Sequence, residues 1–409
     1  MDGAKLNSWQ RTATIVGGSI AGLTAGLALL QRGWDVHIFE ASQGELESRG
    51  AGIITHPVLF DVLRLLDISF PYEFGVQIQL RKTFGKDGGV VGTMPLDQIA
   101  TSWGSVYQLL KQQFPAERYH TNARLHNFQQ FDHLVTANLD DGTSVTSELL
   151  VAADGIRSTL RQKLEPASTP EYVGYMAWRG LIDEKDLDDS ERRSLLPFFT
   201  FCLPEGEQAL SYPIAGELNN TAEGHRRMNV VWYRPAATET TLQDMLTDTD
   251  GNNNGVSIAP DKIRASVINQ MRTDAKVLLS PQHAKLMCKL TQPFIQPIYD
   301  LTTQSMAHGN IAIVGDAAFT ARPHVAVGIT KAVEDALTLA QELDNHADIA
   351  SALSSFNNIR CHANHAWINR SRELGAYLQA QLLSSAERRF AQQHRTTDAV
   401  MRETANLDY

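Results

Sequence analysis

Three acidic residues sit where short apolar runs meet small residues: Glu40 after "DVHIF", Asp154 before Gly155, and Asp316 after Gly315. A carboxylate fixed at the carboxyl end of a buried strand accepts hydrogen bonds from sugar or polyol hydroxyls, and the crevice there is where ligands of open α/β sheets bind. Upstream of Glu40, "IVGGSIAG" places Gly17, Gly18, Ser19, Ile20, Ala21 and Gly22 between a β-branched run and an Ala/Leu-rich one. This is a dinucleotide fingerprint with serine in the slot of its second glycine. Small residues at a helix N-terminus let backbone N–H groups and the helix dipole reach a phosphate. Glu40 follows at close to the roughly 20 residues that the fingerprint asks for.

The other groups with chemical capacity are less specific. His324 follows Pro323 and precedes a stretch, Ala326, Val327, Gly328, Ile329 and Thr330, that opens a helix whose free N–H groups could face an anion. His324, Tyr212 in "ALSYP" and His56 after "GAGIIT" are the candidates for touching a substrate, each weighed against an ordinary structural role as loop or core residue. Trp178 and Arg179 share a strand and can be purely structural. In "CHANH", Cys361, His362 and His365 have helical spacing, but a metal site needs three or four converging ligands, so no metal is expected.

These residues need elements to hold them. Thr12 to Val16 reads as a strand, Ile20 to Arg32 as a helix closed by Gly33, and "DVHIF" as a second strand. Hairpins turn at Asp87-Gly88 and Asp141-Gly142, and Leu149 to Ala153 is a wholly apolar strand. From Val173 to Tyr233 the chain is rich in β-branched and aromatic residues and reads as an inserted antiparallel sheet. "DTDGNNNGVS" reads as a surface loop, "NIAIVGD" as another buried strand, and Gly328 to about Leu343 as a long helix. The remainder, beyond about Asp348, reads as exposed polar helix. The fold class is α/β: a Rossmann-like nucleotide-binding domain (10–72, 98–170 and 281–347), an inserted antiparallel-sheet substrate domain (73–97 and 171–280) and a C-terminal helical region (348–409).

Bulk properties narrow the partners. With 409 residues, 43% hydrophobic and 20% charged, the chain can bury a large core, and a formal charge of -10 gives no footprint for nucleic acid or an anionic membrane surface. No stretch approaches the roughly 20 apolar residues of a membrane span. The first twelve residues have no apolar core of a targeting signal. Three distant cysteines suggest neither a disulfide framework nor a paired-thiol zinc site, and a reducing, cytoplasmic setting is expected.

Three motifs in register, Gly17–Gly22 with Glu40, Asp154-Gly155 with Ser158 and Arg161, and Gly315-Asp316 with Pro323 and Gly328, resemble the single-component, flavin-dependent aromatic hydroxylases of the p-hydroxybenzoate hydroxylase type. Within that family "VGGSIAGLTA", "ERYHT", "GYMAWRG", "YPIAG" and "GDAAFTARPHVAVGITKA" are similar to the branch acting on hydroxypyridines. The resemblance implies noncovalent FAD, NADH or NADPH as reductant, and O2. The chemistry it implies is hydroxylation of a hydroxylated aromatic ring through a flavin C4a-hydroperoxide.

The resemblance also implies roles. Ser19 and Ile20 would lie near the pyrophosphate, Glu40 on the adenosine ribose with Ala41 beside it, and Asp316 on the ribityl chain. Gly328 and its neighbours would face the flavin's pyrimidine edge. Arg49, Gly52 and Tyr107 would border the cofactor, Tyr107 near the place of an arginine common in the family. The Asp154 motif would serve FAD and the nicotinamide cofactor together. The family's Gly-Gln-Gly and Asn are here Ala326, Val327, Gly328 and Thr330, so backbone rather than side-chain contacts are expected there. The ring substrate is expected to be a hydroxypyridine, with a salicylate-like or other phenolic ring, or a flavin-holding redox module without turnover, as alternatives. A homodimer is left open.

Overall fold

The β-branched run Thr12–Val16 forms a central strand, paired in parallel with Asp35–Phe39 on one side and Leu149–Ala152 on the other. Leu149–Ala152 is apolar at every position and buried at every position, as interior parallel strands are. Across this six-stranded sheet the order is Ala307–His308, Ile311–Ile313, Leu149–Ala152, Thr12–Val16, Asp35–Phe39, Tyr119–His120, and only the first of these runs antiparallel to its neighbour. The computed structural model describes residues 11–44, 46, 52–71, 74–253, 255, 257–379 and 384–407. Glu40, Asp154 and Asp316 each follow the carboxyl end of one of three parallel strands, so the topology collects them along one edge of the sheet.

Helices Ile20–Leu30 and Gly328–Asn345 pack on each other over the same sheet, so the helix N-termini after the fingerprint and after Pro323 both open toward that edge. The first helix stops where Gly33 takes a φ of +76°.

A second sheet of eight strands runs Phe294–Asp300, Glu171–Asp183, Arg227–Pro235, Gln208–Ile214, Phe199–Cys202, Val76–Phe84, Val90–Ser102, Gly52–Thr55. It is antiparallel except where Phe199–Cys202 lies parallel to Val76–Phe84. A small third sheet, Leu125–Phe131, Leu134–Leu139 and Ser144–Ser147, carries the expected turn at Asp141-Gly142.

Three strands and one helix join a different sheet or core from the one their place in the sequence suggests. Gly52–Thr55, the end of Val90–Ser102 and Phe294–Asp300, placed by sequence in the nucleotide-binding part, join the large sheet. The helix Pro281–Lys289 likewise buries Leu286 and Met287 in the core that holds Trp178 and Trp232. Chain position did not betray this, because the partners of these strands lie far away in sequence. The C-terminal region is also not simply exposed. Helix Ile349–Gly375 buries Leu353, Phe356, Arg360, Asn364 and Ile368, a face at spacings of three and four whose two polar members disguise it. Helix Thr397–Glu403 returns to the large sheet, where Arg81 donates to the Met401 carbonyl and Gln98 Nε2 donates to the Ala405 oxygen at 2.7 Å.

Candidate active site

A cleft of about 910 Å³ opens along the carboxyl edge of the six-stranded sheet and runs to the face of the eight-stranded one. Its first end is built by the fingerprint. Gly17 has a φ of +103° and donates to the Phe39 oxygen at 2.9 Å, and a Cβ there would meet the Ala153 carbonyl at 2.3 Å. Only glycine tolerates that combination of backbone and approach. Gly22 brings helix and strand together, since a Cβ on it would lie 1.9 Å from the Gly17 oxygen. Ser19 occupies the N-cap without a side-chain capping bond, so its hydroxyl is not spent on its own helix. Gly17, Ser19, Ile20 and Ala21 line the cleft, with Glu40 and Ala41 opposite. Glu40 Oε2 accepts from Gly18 N at 2.8 Å and Oε1 from Ser42 N at 2.8 Å, which orients the carboxylate and leaves each oxygen a free lone pair.

In the middle of the cleft stand Asp154 and Asp316. Asp154 Oδ2 accepts from Thr159 N at 2.8 Å, whereas its buried Oδ1 has no partner among the described residues. Burial raises this carboxyl above its ordinary range against the pull of Ser158, Thr159 and Arg161. Asp316 is raised by the same cause, opposed by Lys331, although half of its side chain is exposed to the open cleft.

The far wall comes from the segment after Asp316. Arg322 grips Asp300 through Nε at 3.0 Å and Nη2 at 2.9 Å, and Arg372 Nε adds a third bond at 2.9 Å. This clamp fixes Pro323, His324, Ala326, Gly328 and Ile329 along the cleft. Ala326 has a left-handed φ of 58°, a strain of about 1 kcal/mol for a residue with a Cβ at the position where the family pattern writes glycine. His324 is buried, with Nε2 2.8 Å from the Tyr175 hydroxyl and its ring 4.8 Å from that of Tyr233. Burial, with Arg322 nearby, pushes its pKa down to about 3, so the imidazole is neutral and shares one proton with the Tyr175 hydroxyl in a hydrogen bond whose direction is set by the ring tautomer.

Beyond His324 the cleft ends in a chamber between the sheet and the C-terminal segment. Phe199, Leu210, Tyr212, Val231, Tyr233 and Pro297 line it, together with Ile54, Thr404 and Ala405. Tyr212 donates to the Gly52 oxygen at 2.8 Å, and Ala405 N donates to the His324 oxygen at 2.7 Å, which seals the end of the chamber. Arg179 lines it too, with Nη1 on Gln296 Oε1 at 2.8 Å and Nη2 on the Gly52 oxygen at 3.3 Å.

Of the residues singled out by sequence, several do not reach this surface. Gly18 is covered: it donates to Glu40, its oxygen accepts from Tyr119 at 2.9 Å, and a Cβ would strike that ring. Gly22 and Gly315 hold backbone elements together, the latter through Gly315 N on Asp335 Oδ2 at 3.0 Å, and Val327 packs against Val325 and Leu374. Ser158 is the fully buried N-cap of Thr159–Leu164. Arg161 is a buried strut, donating to the oxygens of Ser168, Ala317 and Ile156 at 3.1, 2.9 and 2.6 Å. Tyr107 is buried and stacked at 5.4 Å on Trp103, which is the residue that faces the cleft. His56 is the buried N-cap of Pro57–Leu65 and does not line the cleft. Arg49 lies outside the described residues. Sequence reasoning missed Trp103, Arg157, Gln296, Tyr233, Thr404 and Ala405 as cleft residues and left Arg179 as structural. Alternation along Glu171–Asp183 was the available signal for Arg179, since Trp178 takes the core face.

The donor set suits FAD. The cradle at Gly17 admits no Cβ, two helix N-termini face the cleft, and Asp154 Oδ1 is an unclaimed acceptor in its wall. A family model described as FAD binding domain-like matches residues 172–300. The chain is 32% identical to 2,6-dihydroxypyridine 3-monooxygenase of Paenarthrobacter nicotinovorans over 89% of its own length and 91% of the relative's. Its fold is similar to that of 2,6-dihydroxypyridine-3-hydroxylase from Arthrobacter nicotinovorans, with a TM-score of 0.85, 30% identity, and 94% and 96% of the two chains covered. Klebsiella pneumoniae HpxO, solved with FAD and uric acid, shares the fold at a TM-score of 0.76 and 20% identity, over 97% of this chain and 99% of that one. By fold, fingerprint and relatedness over most of its length, the chain belongs to the FAD-dependent aromatic hydroxylases and is a flavin-dependent monooxygenase.

Proposed function

We propose that this monooxygenase takes NADH or NADPH and O2 and hydroxylates a hydroxypyridine held in the chamber beside His324. The observation that carries the substrate class is the composition of that chamber. Apolar and aromatic walls are flat-ring surfaces, and its cations are largely committed. Arg322 is spent on Asp300, and Arg179 on Gln296 and Gly52, with a single nitrogen of each left without a partner. A bidentate carboxylate clamp needs two adjacent free nitrogens. A ring that carries hydroxyls and no carboxylate therefore fits better than a salicylate-like acid, in keeping with the substrate that names the relatives.

The residues that would hold FAD are Ser19, Ile20 and Glu40 at the pyrophosphate and ribose, Asp154 and Asp316 at the hydroxyl-bearing middle, and the N-terminus of Gly328–Asn345 at the pyrimidine edge. Bound FAD, once reduced, supplies the transfer of one oxygen atom to the ring. This chain's residues orient the ring and keep water from it: Phe199, Leu210 and Val231 exclude solvent, while Tyr212 and His324 offer polar atoms at the ring's rim. His324 is neutral far above its depressed pKa of about 3, so it acts here as a hydrogen-bonding group. Across about pH 6 to 9 the hydroxylation profile of His324→Gln is expected to keep the wild-type shape at reduced kcat/KM. A profile that loses an ionisation in that window would show that His324 titrates in the reaction.

Ser19→Gly is expected to change FAD affinity by only a few-fold, the worth of about one neutral hydrogen bond, read by quenching of flavin fluorescence. The substrate class is tested by following NADH loss with a panel of hydroxypyridines, phenols and hydroxybenzoates. Strong stimulation is expected from the hydroxypyridines. Stimulation confined to the hydroxybenzoates would overturn the assignment.

A further inference from the structure

Helix Gly328–Asn345 carries one side chain that the site described above does not use. Lys331, in its first turn, is fully buried, and its Nζ makes no hydrogen bond among the described residues. It lies 3.8 Å from Asp316 Oδ1 and 3.8 Å from Asp335 Oδ2. A buried ammonium without a hydrogen bond is costly to keep, so its place calls for a compensating role. Asp335 has little need of it. Oδ2 accepts from Gly315 N, and Oδ1 accepts from Arg360 Nε at 2.7 Å and Asn364 Nδ2 at 3.0 Å. Asp316 stands differently: its carboxylate has no hydrogen bond to a described residue and Lys331 is its one ion-pair partner among them.

We propose that Lys331 is a positioning residue for the cofactor site, holding Asp316 ionised and aimed into the cleft so that it can accept from a flavin side-chain hydroxyl. The proposal rests on the reading of Asp316 as a ribityl acceptor. The charges around the pair come from each packed element: Asp335 and Glu334 on the same helix, Arg360 on Ile349–Gly375 in contact with both, and Arg161, whose Nη1 reaches the Ala317 oxygen. His365 stacks edge-on against Phe319 at 4.9 Å, on the far side of the Gly315–Ala317 turn. With Lys331 neutralised, Asp316 would face Asp335 alone, and a ligand that fills the cleft would strip the water from its exposed half; both favour its protonated form.

The test is the FAD dissociation constant of the apoprotein from about pH 6 to 9, where each unit of carboxyl shift is worth about a factor of ten. Wild type is expected to be flat. Lys331→Gln and Lys331→Met are expected to bind about tenfold more weakly at the acid end and to recover as pH rises and Asp316 ionises. A merely structural loss would weaken binding equally at every pH. In an Asp316→Asn background either Lys331 substitution should add little. A pH-independent loss, an additive double variant, or a wild-type affinity that itself climbs through the window would overturn the proposal. The last of these needs no variant to fold. Asp316→Asn with unchanged affinity would instead remove the ribityl assignment on which the proposal stands.

Discussion

Asp316→Ala is expected to yield a folded protein that leaves a desalting column nearly free of FAD, with affinity lower by about two decades, the worth of one or two charge-assisted hydrogen bonds. The size follows from what Asp316 does not do. Glu40 is already engaged by Gly18 N and Ser42 N, and Asp154 by Thr159 N, so each shares its acceptor capacity with the protein. The Asp316 carboxylate makes no hydrogen bond to a described residue, and half of the side chain looks into the cleft. Removing it takes nothing from the fold beyond a 3.8 Å ion pair with Lys331, so the loss falls on the ligand. Unchanged flavin content after desalting would contradict this.

Arg161→Met should act in the opposite way, on the fold before the cofactor. Its guanidinium donates to the carbonyls of Ile156, Ser168 and Ala317 and so ties the turn after Asp154 to the turn that carries Asp316. Two buried carbonyls and one part-buried one would lose charged donors, and a loss of about 3–5 kcal/mol in unfolding free energy is expected, since each orphaned group bears its desolvation cost. Denaturant midpoints of the apoprotein read this directly. FAD in excess should restore much of the midpoint, because a ligand that binds only the native state stabilises it by mass action. A variant with the wild-type apoprotein midpoint and weakened FAD binding would make Arg161 a ligand residue after all.

The strand-end acids and the fingerprint were legible in the sequence because their signals are local. A strand, a tight turn and a helix start lie within a few residues, and a buried parallel strand writes itself as an unbroken apolar run, as Leu149–Ala152 does. The motif partners Ser158 and Arg161 were visible, yet their use was not. A serine one turn before an arginine reads the same whether the pair holds a ligand or caps and braces a turn, and only the carbonyls within reach of Arg161 decide. The chamber was mostly hidden. Phe199, Tyr212, Tyr233 and Pro297 come from four strands whose neighbours are set by sheet order, and Thr404 and Ala405 arrive from the end of the chain. Helix Ile349–Gly375 was misread as exposed because Arg360 and Asn364 occupy the middle of its buried face, where they pair with Asp335. Tyr107 enters through the family resemblance and His56 through its place after the "GAGIIT" loop, and both side chains are buried off the cleft surface.

Oxygen transfer to a hydroxypyridine is tested in one reaction with 2,6-dihydroxypyridine under ¹⁸O2, in which NADH consumed, product formed and H2O2 released are counted together. One hydroxylated product per NADH is expected, with one labelled oxygen in the ring hydroxyl and little peroxide. NADH loss matched by H2O2, with no labelled product, would contradict it.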